Sequence, residues 1–281
     1  MDVTEIKDEL KSIEPHLVSI ARRCFGNWEE MRDSQEDLYY YTDLNTLLTG
    51  ILKQKDKISL WASRFSHLND SEEIKIGLEE LRNQKIPNDV VDAFLQMVKL
   101  NHSISFSAHH DNLPMWKMYG NGGRGAMLIF DTKELIDQWG GLLQPCIYTH
   151  SEQFTTTIEM LFHPESHSEF EQFSVTQKSL VGLHLLPMFI SILKNNDYFY
   201  EKEIRLVGLG NPFFDKEREQ LFRLSNGKII PYVETFMSKK ALKGICLGPL
   251  VDSSNKETLE EFLKNKGYDK VVVTQSKIHY R

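Results

Sequence analysis

The run Glu201-Lys202-Glu203-Ile204-Arg205-Leu206 is the stretch of this chain where residue type and spacing together imply chemistry. Successive side chains of an extended strand alternate between faces, so Glu201, Glu203 and Arg205 would share one face and Lys202, Ile204 and Leu206 the other. A carboxylate on such a face can stabilise a developing positive charge, and the guanidinium can pair with a carboxylate or a phosphate. The bland reading of the same pattern is an antiparallel strand with one wet face. Three further patterns accompany it. Tyr39-Tyr40-Tyr41-Thr42 is β-prone and aromatic, and Ser105-Phe106-Ser107 puts two hydroxyls on one strand. Trp116 and Tyr119, one helical turn apart, would form an aromatic wall for a flat ring, or else belong to the core.

Two other constellations compete. Asp70, Glu72, Glu73, His109, His110 and Asp111 include carboxylates that follow predicted strands and could converge on a hard cation, the basis of a metal-dependent nuclease or hydrolase. Neither H-x-x-x-H nor D-x-D spacing occurs among them, however, and no metal site is expected. A groove lined by Trp61, Asn69, Trp116 and Arg205 would serve a binding or sensor module without turnover. Gly120-Asn121-Gly122-Gly123-Arg124-Gly125 satisfies G-x-G-x-x-G in letters only. A dinucleotide-binding loop needs a strand before the glycines and a helix after them. Here helix-like Met115–Tyr119 precedes and strand-like Ala126–Phe130 follows, which makes the segment a flexible turn entering a strand.

The elements that must position these residues can be read from periodicity. Ile6, Leu10, Ile13, Leu17, Ile20 and Cys24 recur at three- and four-residue intervals, predicting an amphipathic helix over 3–26 that is broken or bent near Pro15. Residues 26–37 read as a polar connection, and Asp43 as the cap of a short helix through Ile51. Strands are predicted at 38–42, 58–62, 103–107, 125–130, 202–208, 228–233, 243–247 and 270–275. Helices are predicted at 71–82, 88–100, 113–119, 132–139, 150–162, 169–195 and 254–266. Strands and helices are interleaved irregularly, without the steady alternation that builds a parallel sheet. The expected fold is α+β: a mixed or split sheet around a cleft with flanking helices, residues 38–281 forming one domain and residues 1–37 a helical extension on it.

Bulk properties narrow the classes. The chain has 281 residues, 41% of them hydrophobic, enough for a substantial core. A net charge of −7 opposes broad, sequence-independent nucleic-acid binding but leaves room for a local basic groove. Cys24, Cys146 and Cys246 are widely spaced in apolar surroundings, which predicts buried free thiols. The charged N-terminus shows no signal peptide, and the most apolar window, 180–193, contains Gly182, His184 and Pro187 and is too short for a membrane span. A cytoplasmic location with no membrane contact is expected; the oligomeric state is not legible.

Six segments, in order, resemble a bacterial family described as a domain of unknown function (number 2971). They are Leu38–Thr42; Leu60–Ser63 with Asn69-Asp70; and Ser105–Ser107 with Asp111, Met115-Trp116 and Tyr119. Gly125–Phe130, Tyr200–Leu206, and the tail from Gly248-Pro249 through Ser276 to Tyr280-Arg281 complete them. The resemblance spans about residues 38–281; Ser71 stands where the family pattern has proline. Three of these segments are also similar to motifs of ADP-ribosyltransferases. In that fold a strand carrying tyrosine, histidine or arginine, and threonine grips the ribose and nicotinamide of NAD; Tyr39, Tyr40 and Thr42 occupy the analogous place, Tyr40 standing where histidine would be. Ser105 and Ser107 are similar to its Ser-x-Ser strand, and Glu201 and Glu203 to its Glu-x-Glu. The resemblance implies Glu203 as the carboxylate stabilising the ribose cation as the nicotinamide bond breaks, and Glu201 as the contact to the acceptor. It places Tyr39, Tyr40, Thr42, Asn69, Ser105, Ser107, Trp116, Tyr119 and Arg205 around NAD. A nucleotide is then the small-molecule partner, a macromolecule the acceptor, and bacterial defence or a toxin system the setting.

Overall fold

A computed structural model describes residues 3–26, 28–34, 36–67, 72–83, 88–209, 218–225 and 227–280. Asn69, Asp70, Ser71 and Arg281 lie outside the described residues. Long apolar stripes become the helical layer. Helix α1 (Val3–Phe25) and a short α2 (Trp28–Asp33) lead into the first strand; α3 (Glu72–Asn83) and α4 (Asn88–Leu100) precede the third. Helices α5 (Leu113–Met118), α6 (Thr132–Trp139), α7 (Glu152–Phe162), α8 (Val175–Ile192) and α9 (Asn255–Asn265) complete the set. The strands are β1 (Asp37–Thr42), β2 (Lys57–Arg64), β3 (His102–Ser107), β4 (Ala126–Asp131), β5 (Leu143–Pro145) and β6 (Ile147–Tyr148). They continue with β7 (Leu193–Lys194), β8 (Glu203–Leu209), β9 (Gln220–Ser225), β10 (Lys228–Ser238), β11 (Leu242–Leu247) and β12 (Val272–Gln275).

Ten strands form one mixed sheet in the order β12-β11-β4-β1-β3-β2-β10-β9, with β8 on β3 and β5 on β8. Every pairing in it is antiparallel except β11 with β12; β6 and β7 form a separate parallel pair. The feature that matters for function is at β3. One edge of β3 is taken by β8, from His102 opposite Leu209 to Ser107 opposite Glu203. The other edge is shared: β1 meets it only where Tyr39 faces Ser107, and β2 only where Ser63 and Arg64 face Ser103 and His102. Between those contacts Ile104, Ser105 and Phe106 pair with β8 alone. The sheet therefore splits, one wing leaving through β1 and the other through β2. A strand edge unpaired inside a protein leaves polar groups to be satisfied by something else.

Two large apolar clusters hold this arrangement. One joins Leu38, Leu60, Phe106, Leu128, Phe130 and Ile245 of the sheet to Leu135 of α6 and to Leu259 and Leu263 of α9. The other joins Ile13, Ile20 and Phe25 of α1 to Val91 and Val98 of α4, Met160 of α7, and Leu185, Phe189 and Ile190 of α8. Burying a side chain of that size contributes roughly 1.5–3 kcal/mol. Helix α8 is long and apolar enough to cross a membrane by length and composition, but half of it is buried within the protein against this second cluster. The three cysteines are free and buried, and burial pushes the Cys24 thiol up to about 12.

Several boundaries differ from expectation for local reasons. Helix α1 runs through Pro15 without ending, and α2 occupies part of the predicted polar connection. The predicted helix 169–195 is α8 trimmed at both ends. Ser174 accepts from the Gln177 backbone while the Gln177 side chain answers the Ser174 N–H, a reciprocal cap that fixes the start. At the far end Leu193 is extended, and Leu193-Lys194 pairs with β6. Strands β5, β6, β7 and β9 carry no period long enough to be seen in sequence.

Candidate functional site

The split between the two wings is a cleft of about 390 Å³, within the range of small-molecule sites. Lys194 of β7 and Arg223 of β9 enter it, and five further segments supply the rest of its lining. From β1 come Tyr39, Tyr40 and Tyr41; from β2, Trp61 and Ser63; from β3, Ser103 through Ser107; from β8 and the turn before it, Glu201, Glu203 and Arg205. Tyr119 and Met118 close it from α5.

The polar floor is a buried cluster of four charges. Lys194, Glu201, Glu203 and Arg205 are 4, 2, 6 and 2% exposed. The Arg205 guanidinium grips Glu203 in a fork, Nε donating to Oε1 at 2.8 Å and Nη2 to Oε2 at 3.0 Å, while Nη1 donates to the Ser191 carbonyl at 3.0 Å. Lys194 Nζ donates to Glu203 Oε2 and, at 2.6 Å, to Glu201 Oε2. The Tyr119 hydroxyl donates to Glu201 Oε1 at 3.0 Å. Burial would raise the Glu203 pKa, but the charges and hydrogen bonds of Arg205 and Lys194 outweigh it and hold the carboxyl well below the usual range. Burial and Arg205 both favour loss of the Lys194 proton, yet attraction by Glu203 and Glu201 wins and keeps that pKa above the ordinary lysine value. Two basic and two acidic side chains therefore sit together, equal in number and hydrogen-bonded to one another.

Local structure explains how the pieces arrive. Asn195 caps a short 3-10 turn through Glu201, and Lys202 then takes a left-handed conformation (φ 39°) that turns the chain into β8. Glu201 is thus in the turn and not in the strand, although it still faces the cleft with Glu203 and Arg205. Ser107 Oγ ties the turn down by donating to the Glu201 carbonyl at 2.7 Å and accepting from the His109 N–H. Tyr148 Oη accepts from the Glu203 N–H at 2.9 Å.

Of the residues singled out from sequence, Tyr39, Tyr40, Ser105, Ser107, Tyr119, Glu201, Glu203 and Arg205 all line the cleft. Thr42 is buried and does not. Asn69 is outside the described residues. Trp116 is no wall: it is fully buried, its ring packs edge-on against Tyr41, and its indole N–H donates to Asp111 Oδ1 at 2.7 Å. Asp111 also accepts from Ser276 Oγ at 2.6 Å and from the Lys277 N–H at 3.1 Å. Tyr41 Oη donates to the His109 carbonyl and accepts from the Asn112 N–H. Trp116, Asp111 and the tail thus form a bolt that seats α5, which in turn presents Tyr119. With Asp111 so engaged, the metal-site reading loses a ligand, and no group of three or more His, Cys, Asp or Glu converges among the described residues.

Sequence reasoning passed over Lys194 and Arg223. Lys194 ends an apolar run, where a lysine looks like a surface residue leaving a helix; only the pairing of β7 with β6 turns it inward. Arg223 lies on β9 and reaches across β10 to β2, donating from Nη2 to Ser63 Oγ at 2.9 Å with its guanidinium 6.0 Å from the Trp61 ring centre. Burial raises the Tyr40 pKa, against which the Arg223 charge works.

No curated protein and no solved structure matches this chain. Residues 115–206 run from α5 to β8 and carry Tyr119, Lys194 and the Glu201–Arg205 cluster, and this segment matches the model of a family described as protein of unknown function (DUF2971).

Proposed function

We propose that the chain is an NAD-dependent ADP-ribosyltransferase-like enzyme whose nucleotide enters the split between β1 and β2. One observation carries the reading. The tyrosine strand, the Ser-x-Ser strand and the Glu-x-Glu segment lie far apart in sequence, yet their side chains line one cleft. In this reading the open edge of β3 at Ser105 and the tyrosines of β1 receive the nicotinamide and ribose. Cleaving the nicotinamide–ribose bond builds positive charge on the sugar, and Glu203, held ionised and immobile, is the carboxylate placed to stabilise it. Glu201, fixed by Lys194 and Tyr119, stands beside it toward the acceptor. The buried free thiols fit a reducing, cytoplasmic setting, and a macromolecular acceptor in bacterial defence or a toxin system follows from the same reading.

A second reading, a binding or sensor module without turnover, is favoured by one specific feature: both Glu203 oxygens already accept hydrogen bonds from Arg205 and Lys194. Two cations so close dilute the field a single carboxylate would exert on an oxocarbenium ion. Incubation with NAD, with and without cell lysate as a source of acceptor, separates the two. An enzyme releases nicotinamide. A module gains thermal stability that rises with the logarithm of ligand concentration above Kd, and releases none. Neither release nor stabilisation would defeat both readings.

A further inference from the structure

The geometry points to a phosphate-binding subsite at the β2–β9 end of the cleft, formed by Arg223, Ser63 and Ser103. It deepens the nucleotide reading of the same cleft and rests on that reading for the ligand's identity. This end is chemically unlike the Glu203 end, where every cation is matched by a carboxylate. No carboxylate lies within ion-pair distance of Arg223 among the described residues. Its Nη2 donates to Ser63 Oγ at 2.9 Å, while its Nε is buried with no hydrogen-bond partner among the described residues. Ser103 is 3% exposed, lines the cleft, and has an Oγ that is likewise buried without a partner. Ser63 and Ser103 face each other across the β2–β3 pairing, so the two hydroxyls and the guanidinium share one wall.

Buried donors without acceptors are costly and rare in native proteins. Two on one wall, beside a guanidinium that no acid among the described residues neutralises, call for an acceptor-rich anion. A guanidinium presents five N–H donors in a fixed fork matched to phosphate oxygens, and hydroxyls supply further donors of the same kind. The guanidinium carbon of Arg223 lies 6.0 Å from the Trp61 ring centre, at cation–π range. Tyr40 lines the same cleft as this wall and Ser105. A ligand with its sugar near the tyrosines would carry its phosphate toward Arg223.

The test is a binding titration of the full chain with three probes: nicotinamide riboside, nicotinamide mononucleotide and inorganic pyrophosphate. The wild type should bind the mononucleotide at least about 10-fold more tightly than the riboside, the usual worth of a charge-assisted contact. Arg223→Gln should erase that difference, and Ser103→Ala should reduce it a few-fold. Arg223→Lys, which keeps the charge and loses the fork, should fall between and serves as the probe if the glutamine variant does not fold. Mononucleotide binding indifferent to Arg223→Gln overturns the subsite and leaves the nucleotide reading standing. Arg223-dependent binding of pyrophosphate with no binding of either nicotinamide compound upholds the subsite and removes NAD as the ligand. No binding of any probe overturns both.

Discussion

Replacing Glu203 by glutamine keeps the shape of the side chain and removes one charge from a set of four that now cancel. Lys194 and Arg205 would then face Glu201 alone, leaving a net positive charge at a site where all four groups are nearly inaccessible. Hydrogen bonding suffers as well. Glu203 accepts from Arg205 Nε at one oxygen and from Arg205 Nη2 and Lys194 at the other. A glutamine amide offers an oxygen to one side only, so its NH₂ must confront a donor. Breaking a buried pair in this way costs about 3–5 kcal/mol. At roughly 2–4 °C per kcal/mol for a chain of this size, the melting temperature should drop by roughly 6–20 °C. Adding Lys194→Met restores neutrality, so the double variant should melt well above Glu203→Gln, and the coupling can be read from the complete cycle. Nicotinamide release separates stability from chemistry. If Glu203 stabilises the ribose cation, release should fall on the order of 10²–10³-fold in the single variant and stay down in the restabilised double variant. A single variant that melts within about 2 °C of the wild type would refute the charge-balance argument, since exposed pairs are worth only about 0–1 kcal/mol. Release that returns in the double variant would refute a chemical role for Glu203.

Three further outcomes are expected. Tyr119→Phe removes the hydroxyl bonded to Glu201 and should cost about 1.5–3 kcal/mol, measured by urea unfolding, because a bond to a charged partner is the stronger kind. Gly125→Ala places a methyl against the Thr42 carbonyl oxygen and 2.8 Å from the Gly120 oxygen, backbone atoms that cannot step aside, so thermal unfolding should show a loss of roughly 1–3 kcal/mol or more. Burial holds the His102 imidazole at about 4, below its ordinary 6.5. The unfolded chain takes up that proton first, so the stability His102 contributes is complete above pH 6.5 and is lost as the pH falls toward about 4. Urea midpoints at pH 7 and pH 5 should differ in the wild type by more than in His102→Leu; equal differences would show that the ring does not control this slope.

Much of the fold was legible because its signals are local. The β-prone runs Lys57–Arg64 and Ala126–Asp131, and the apolar stripe of α1, are carried by residue type and spacing within each element. The reciprocal cap of Ser174 and Gln177 was also readable, although periodicity alone overran it. So was the reversed order around the glycine run, which lies between α5 and β4 as expected. The shared face of Glu201, Glu203 and Arg205 emerged correctly even though Glu201 sits in a turn, because a left-handed Lys202 returns the chain to the same side.

What the sequence could not supply was who meets whom across the chain. That β1 and β2 share one edge of β3, opening the cleft at Ser105, follows from pairings between segments tens of residues apart. That Trp116 is a buried bolt and not a wall depends on Asp111 and Ser276, the latter 160 residues later in the chain. Lys194 and Arg223 belong to the cleft only because β7 and β9 find partners that leave no period behind. Local propensity chooses elements, but a charge buried among opposite charges and one bathed in water are the same letter until the tertiary structure decides which solvent surrounds it.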